Sequence, residues 1–217
     1  SKNSKPSIDI LEAKLFVRRV KVDQSVTLGH QIGLSKQNAI YPIKSKEVVS
    51  FTMSTGSSSF YKEQLFGDRR LPNFILVTFQ SADSYLGTFS TSSSEFEHFN
   101  LTSLTLSKNT DYREKYTQDF QSNNYTTSYV QSLIRNLGYL DKNMNCGITL
   151  EEFKTKYPFF TFVLAPDFDL NQSQLPQQGN LKLDIKFATP LVESAYVIIY
   201  GVFENEIQVT SNHTILL

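Results

Sequence analysis

The chain has 217 residues, with 21 Lys and Arg against 21 Asp and Glu, so its formal net charge is zero. Proteins that bind nucleic acid through its phosphates show a basic excess or stripe; this chain has neither, so we expect no specific nucleic-acid binding. The single cysteine, Cys146, excludes an internal disulfide, and no apolar run is long enough to span a bilayer. We therefore expect a soluble intracellular protein whose balanced charge permits packing against copies of itself.

Clusters of β-branched and aromatic residues, separated by Ser, Thr and Asn, run along the chain and predict an all-β fold. After a polar lead-in over residues 1–10 we predict about eight strands: 11–22, 41–54, 73–81, 99–107, 158–165, 180–189, 195–208 and a short one at 213–217. Residues 181–187 alternate strictly between apolar and polar, as in an antiparallel strand with one face in a core. Residues 195–203 are apolar on both faces, which predicts a strand covered on both sides.

The sheet pattern is interrupted between residues 112 and 157. Tyr116, Phe120, Tyr129 and Leu133 favour helical spacing, and Gly138 is a plausible helix stop. We therefore predict an eight-stranded antiparallel jelly-roll sandwich over residues 11–217, a single domain, with a helical insertion at about 112–157 in one long loop. This arrangement fits jelly-roll topology better than an up-and-down barrel.

The sharpest local motif resembles a calcium-binding EF-hand loop. Oxygen-bearing side chains fall at the first, third, fifth and twelfth positions, namely Asp141, Asn143, Asn145 and Glu152. Cys146 occupies the position that should be glycine, which predicts weak binding. The alternative is a polar loop followed by a short helix with Thr149 as its N-cap and Glu152 completing a capping box.

We find no predicted active site. The three histidines, His30, His98 and His213, are far apart in sequence and form no paired metal-binding motif. Cys146 has no activating neighbour other than Lys142, and no glycine-rich phosphate loop is present. Tryptophan, the usual platform for sugars, is absent. We therefore expect no enzyme activity, no catalytic residue and no cofactor.

Several stretches, in order, resemble the C-terminal part of the major capsid proteins of Polinton/Maverick elements and adintovirus-like viruses. They are residues 15–22 (LFVRRVKV), 29–30 (GH), 39–44 (AIYPIK), 64–67 (QLFG), 71–72 (LP), 85–87 (YLG), 96–101 (FEHFNL), 147–149 (GIT), 152–153 (EF), 160–167 (FTFVLAPD) and 179–188 (GNLKLDIKFA). The ordered set is specific, whereas no single piece is. Residues 68–70, 90–94 and 209–213 depart from the family pattern, so contacts between subunits at those places are not carried over.

The resemblance implies a double-jelly-roll protein about twice this size, of which this chain is the second roll. It further implies a homotrimer that forms pseudo-hexagonal capsomers of an icosahedral shell, with neighbouring capsomers and penton or minor capsid proteins as partners. The implied location is the virion capsid, after synthesis in the host cell and assembly in the nucleus or cytoplasm. Two alternatives from the residues alone are a β-sandwich that binds calcium or carbohydrate and a jelly-roll enzyme whose histidines converge on a metal.

Overall fold

The computed structural model describes residues 9–67, 70–88, 91–109, 111–140, 142–165 and 175–216, with the backbone alone at 111–114. This part of the chain divides into two units. The larger is Tyr41–Ile207, and the smaller consists of the described residues up to Ile40 together with Gln208–Leu216.

Eleven strands and five helical segments make up the described secondary structure. The strands are β1 (Ala39–Met53), β2 (Ser59–Lys62), β3 (Arg70–Leu71), β4 (Phe74–Ser81), β5 (Leu101–Lys108), β6 (Asp111–Thr117), β7 (Phe160–Val163), β8 (Gln177–Gln178), β9 (Leu181–Phe187), β10 (Ala195–Val209) and β11 (Ile215–Leu216). The helices are α1 (Gln24–Lys36), α2 (Ala82–Leu86), α3 (Thr126–Tyr129), a π-helical turn (Val130–Arg135) that continues α3, and α4 (Leu150–Thr155).

The larger unit is an antiparallel jelly roll. Its first sheet has the strand order β1-β10-β4-β7 and its second sheet the order β2-β9-β5-β6. The pairing is nested: among these eight strands the first pairs with the last, the second with the seventh, the third with the sixth and the fourth with the fifth. This is the chain path of a long hairpin rolled into two sheets, so the predicted fold class is confirmed.

Apolar side chains from both sheets fill the space between them. Along β9, Leu181, Leu183, Ile185 and Phe187 are buried while the residues between them are partly or fully exposed, as the alternating sequence predicts. Phe79 on β4 contacts the rings of Phe187 on β9 and Phe160 on β7, at centroid distances of 6.0 and 6.5 Å. The two sheets therefore share one core.

The helical insertion is present, but it begins later than predicted. Residues 112–117 belong to β6, where Tyr116 is 1% exposed and faces the core between two exposed neighbours. Tyr116 and Phe120 are four residues apart, a spacing that mimics a helix, but the first lies in a strand and the second in the turn after it. Helix starts only at Thr126.

One predicted strand is wrong, and one strand was not predicted. Residues 11–22 form no strand here, and instead α1 follows them, with Asp23 accepting the Ser25 N–H as its N-cap at 2.9 Å. Helix α1 contains Gly29 and Gly33 and buries no residue, so it left no apolar stripe to recognise. Strand β2 was missed because only four residues pair with β9 there, and Phe60 alone among them is apolar and packs on the core.

In the smaller unit, β11 pairs with the end of β10 through Gln208 opposite Leu216 and Val209 opposite Ile215. The connecting turn is closed by the Thr210 N–H, which donates to the Thr214 carbonyl at 3.0 Å, and His213 adopts a left-handed φ of 59° within it. Asn38 donates a side-chain hydrogen bond to Gln208 at 3.2 Å.

Candidate interaction surfaces

The free edge of β7 is closed by the helical insertion. β7 ends the first sheet, so the N–H and C=O of Thr161 point away from β4 and need other partners. Ser132 Oγ accepts the Thr161 N–H at 2.9 Å, and the Asn136 side-chain amide donates to the Thr161 carbonyl at 2.6 Å. Tyr116 donates to the same carbonyl. This edge therefore has no unsatisfied backbone group at Thr161 with which to pair a further strand.

The π-helical turn presents the two polar groups that close this edge. In this turn the Asn136 N–H donates to the carbonyl of Gln131, five residues earlier, instead of four. Ser132 and Asn136 both point to β7 and are 0% and 7% exposed. Sequence reasoning missed them because their partner Thr161 lies more than 20 residues away, and no local pattern marks the pairing.

The outer face of the first sheet is apolar but only partly covered. We define the outer face as Val48 on β1, Leu76 on β4, and Ile198, Tyr200 and Val202 on β10. The register places Tyr200 opposite Leu76 on the same face, and Leu76, Tyr200 and Val202 pack against a small cluster of Phe74, Val163 and Ala165. Val48 is 61% exposed. The sequence predicted a strand covered on both sides at β10, whereas among the residues that the structure describes the outer side is only half covered.

One end of the outer face is capped by α2. Tyr85 stacks on Tyr196 of β10 with ring centroids 4.0 Å apart, and its hydroxyl hydrogen-bonds Ser50 on β1 at 2.7 Å. The Gln80 side chain donates to the Ser93 carbonyl at 2.8 Å, so the far end of β4 is buried as well. Val48 and the middle of β10 are left as the open portion.

In the predicted calcium loop, the side chain of Glu152 is engaged in local hydrogen bonds at the start of α4. Glu152 completes a capping box: its carboxylate accepts the N–H and the hydroxyl of Thr149, both at 2.9 Å, while Thr149 Oγ1 accepts the Glu152 N–H at 3.2 Å. These bonds hold the pKa of Glu152 below its usual value. Asn143 and Asn145 are exposed, and Asp141 lies outside the described residues.

His98 is a packed histidine in the larger unit. Its ring stacks on Phe120 at 4.0 Å, and its Nδ1 accepts the N–H of Asn100 at 2.9 Å. Burial, with a contribution from Lys154, lowers its pKa to about 4. His30 lies in α1 and His213 in the β10–β11 turn, both exposed. Within the described residues no group of three or more His, Cys, Asp or Glu side chains is arranged to hold a metal ion.

An acidic cluster lies beside His98. Burial raises the pKa of Glu97, and the nearby Glu193 and Glu95 raise it further. Two places in the chain carry adjacent arginines: Arg18 and Arg19 are exposed, and Arg70 lies 5.5 Å over the Phe203 ring, while its neighbour Arg69 lies outside the described residues. Among the described helices, none combines the length and apolarity needed to cross a lipid bilayer.

No protein-family model and no curated protein sequence matches this chain. Solved structures that are similar to this chain include three from viruses. A chain of the Sputnik virophage particle superposes with a TM-score of 0.51 at 14% identity, over 82% of this chain and 38% of that one. VP54 of PBCV-1, fitted into a reconstruction of the virophage Sputnik, gives 0.51 at 12% identity, over 90% and 55%. The mavirus major capsid protein gives 0.40 at 12% identity, over 82% and 41%.

At these sequence identities, the two superpositions with TM-scores above 0.5 establish only the fold, which is the jelly roll found in these viral chains. They agree with the nested strand pairing derived above. The present chain spans about two fifths to just over half of the length of the chains that it matches.

Proposed function

We propose that this chain is a structural capsid subunit, the second roll of a double-jelly-roll protein whose trimers form pseudo-hexagonal capsomers of an icosahedral shell. The observation that carries the proposal is a complete eight-stranded jelly roll, similar in fold to chains from virus particles, with an apolar sheet face left half exposed. The ordered resemblance to Polinton/Maverick major capsid proteins supports the narrower family. The proposed role is structural and includes no enzyme activity.

Assembly of such a subunit requires burial of surface and no bond-making chemistry. The outer face supplies apolar area, and its removal from water contributes about 25 cal/mol per Å². Threefold symmetry makes a head-to-tail contact close on itself. At Thr161 the edge of β7 has no free backbone group to offer, which disfavours open-ended pairing of sheets at that position.

The proposed partners are other copies of the protein, first within the trimer and then in neighbouring capsomers, together with penton or minor capsid proteins. The proposed location is the virion capsid, after assembly in the nucleus or cytoplasm of the host cell. Neither partner nor location requires a bound cofactor.

Light scattering and electron microscopy of the full-length protein test the proposal, with Val48→Lys as the informative variant. Val48 is 61% exposed here, so the substitution should leave the fold intact. At an apolar contact between subunits the substitution would bury a charge without a partner. We therefore expect the dissociation constant of the trimer to rise at least tenfold. Tyr61→Lys is the matched control, because Tyr61 is 59% exposed on the other sheet.

A full-length protein that stays monomeric at high concentration would contradict the capsid role. If Val48→Lys leaves the trimer unaffected, the outer face is not part of the contact between subunits. The same measurements in millimolar calcium and in chelator test the ligand-binding alternative. A calcium-dependent rise in melting temperature that Glu152→Ala abolishes would favour that alternative.

A further inference from the structure

A lysine, a glutamate and an asparagine meet across three neighbouring strands of the first sheet. Lys44 lies on β1, Glu204 on β10 and Asn73 directly before β4, and β10 lies between the other two strands. Glu204 Oε1 accepts a hydrogen bond from the Asn73 side-chain amide at 2.8 Å, and Lys44 Nζ lies 3.8 Å from the same oxygen. One carboxylate oxygen therefore faces both a primary amine and a carboxamide.

The three side chains are largely shielded from water. The side chain of Glu204 is 5% exposed and that of Lys44 is 31% exposed, while Asn73 is buried. Val202, two residues before Glu204, packs against the small apolar cluster that contains Phe74, the neighbour of Asn73. Burial deprives an ion pair of its hydration. The proton transfer from Lys44 to Glu204 that a nucleophilic amine requires is therefore easier here than in water.

The backbone of Asn73 is held from both sides. Its N–H donates to the carbonyl of Val202 on β10 at 2.8 Å, and its carbonyl accepts the N–H of Leu164, which follows β7, at 2.8 Å. The lysine, in contrast, has a flexible four-carbon stem, so its Nζ can move from Oε1 of Glu204 towards Cγ of Asn73. A fixed acceptor beside a tethered nucleophile is suited to an intramolecular reaction.

We propose that Lys44 and Asn73 join in an intramolecular isopeptide bond, with Glu204 as the carrier of the protons. Nζ forms a bond to Cγ of Asn73, and the bond from Cγ to Nδ2 breaks. The lysine ammonium loses two protons, which pass by way of Glu204 to Nδ2. The amide nitrogen thus leaves as ammonium, and Glu204 ends as the carboxylate with which it began. The reaction consumes no oxidant or other co-reactant.

The bond fastens the edge strand β1 to the start of β4 across β10. It closes a covalent loop that contains β2 and β3, so the unfolded chain has fewer conformations and the folded sheet gains stability. The reaction occurs once, within a single chain. It is therefore neither an enzyme activity nor a step of assembly, and it does not depend on the capsid role proposed above.

Intact-mass spectrometry of the folded 217-residue chain tests this proposal. We expect a mass lower than that of the sequence by one molecule of ammonia. Digestion with trypsin should release a branched peptide that joins Lys44 to Asn73, without cleavage after Lys44. A chain that keeps its full mass after folding and prolonged incubation would overturn the proposal. Loss of ammonia without the branched peptide would also overturn it.

Three variants identify the groups that react. Glu204→Gln retains an oxygen for the Asn73 amide but cannot carry a proton, and Lys44→Arg retains the positive charge but lacks the amine; both should keep their full mass. Lys46→Arg is the matched control, because Lys46 lies two residues further along β1 and on the same side of the strand; it should still lose ammonia.

The two arginine variants keep a cation on β1, so a difference between them does not arise from misfolding. Loss of ammonia in Lys44→Arg would assign that loss to cyclisation of an asparagine and overturn the isopeptide bond. Loss of ammonia in Glu204→Gln, together with the branched peptide, would overturn the role of Glu204.

Discussion

His98 makes the stability of the jelly roll sensitive to acid. Its pKa of about 4 in the folded chain lies below the value of 6.5 for an unperturbed histidine. Between these two pH values the unfolded state binds more protons, so stability falls as the pH is lowered from 6.5 towards 4 and is unaffected above that window. Glu97 acts in the opposite direction, since its raised pKa favours protonation of the folded chain.

We predict that His98 alone lowers the free energy of unfolding by about 1 kcal/mol between pH 6.5 and 4.5, a value reduced from the full shift because the ring is partly exposed. Denaturant titrations at several pH values measure this loss. His98→Asn should flatten the dependence, because an Asn side chain can accept the same Asn100 N–H in a turn but does not titrate. His30→Asn, at an exposed position in α1, should not flatten it. A His98→Asn protein with the wild-type slope would contradict the assignment.

How far single residues could be predicted from the sequence depended on the distance to their partners. The capping box of Thr149 and Glu152 was predicted and is confirmed, because both partners lie within one helical turn. The contact of His98 with Phe120 was not predicted, since it spans two elements whose packing the sequence does not state.

Among the elements, the π-helical turn has the clearest structural task, which is to close the edge of β7. Ser132→Ala would leave the buried Thr161 N–H without its partner, and an unsatisfied buried donor costs about 1–3 kcal/mol. We predict a loss of unfolding free energy in this range, measured by denaturant titration, and faster exchange of the Thr161 amide.

Thr155→Ala is the control for that variant. Ser132→Ala removes a hydrogen bond to a backbone carbonyl, that of Phe159, and Thr155→Ala likewise removes one, from Thr155 Oγ1 to the carbonyl of Glu151. Thr155 is exposed, so the expected change is within about 0.5 kcal/mol. Equal stability of the two variants would show that the edge of β7 does not depend on Ser132.

Strands could be predicted where alternation or length was strong, as in β9 and β10. Helix α1 could not, because a helix that buries nothing carries no amphipathic signal. The predicted strand at residues 11–22 is wrong. Leu11, Ala13, Leu15 and Val17 alternate as in a strand, but no described strand of this chain pairs with them. Alternation indicates that a segment is suited to a sheet and does not identify a neighbouring strand.

For the whole molecule, the fold class could be predicted from the strand pattern, whereas the order of strands could not. Which strands neighbour each other depends on contacts across most of the chain, such as β1 with β10. The outer face could be predicted only in part. The sequence of β10 showed that both of its faces are apolar. The partial exposure of one face depends on how α2 and the loop after it cover the sheet, which the sequence does not show.

The exposed residues 9–33 have a calorimetric consequence. The heat capacity change on unfolding measures apolar surface newly exposed to water, and these residues have almost none left to expose. We expect a change of about 2–2.5 kcal/mol/K, appropriate to the size of Tyr41–Ile207, where a fully packed chain of 217 residues would give about 3. Scanning calorimetry of this chain decides between the two values, and the larger one would mean that its N-terminal residues already bury apolar surface on their own.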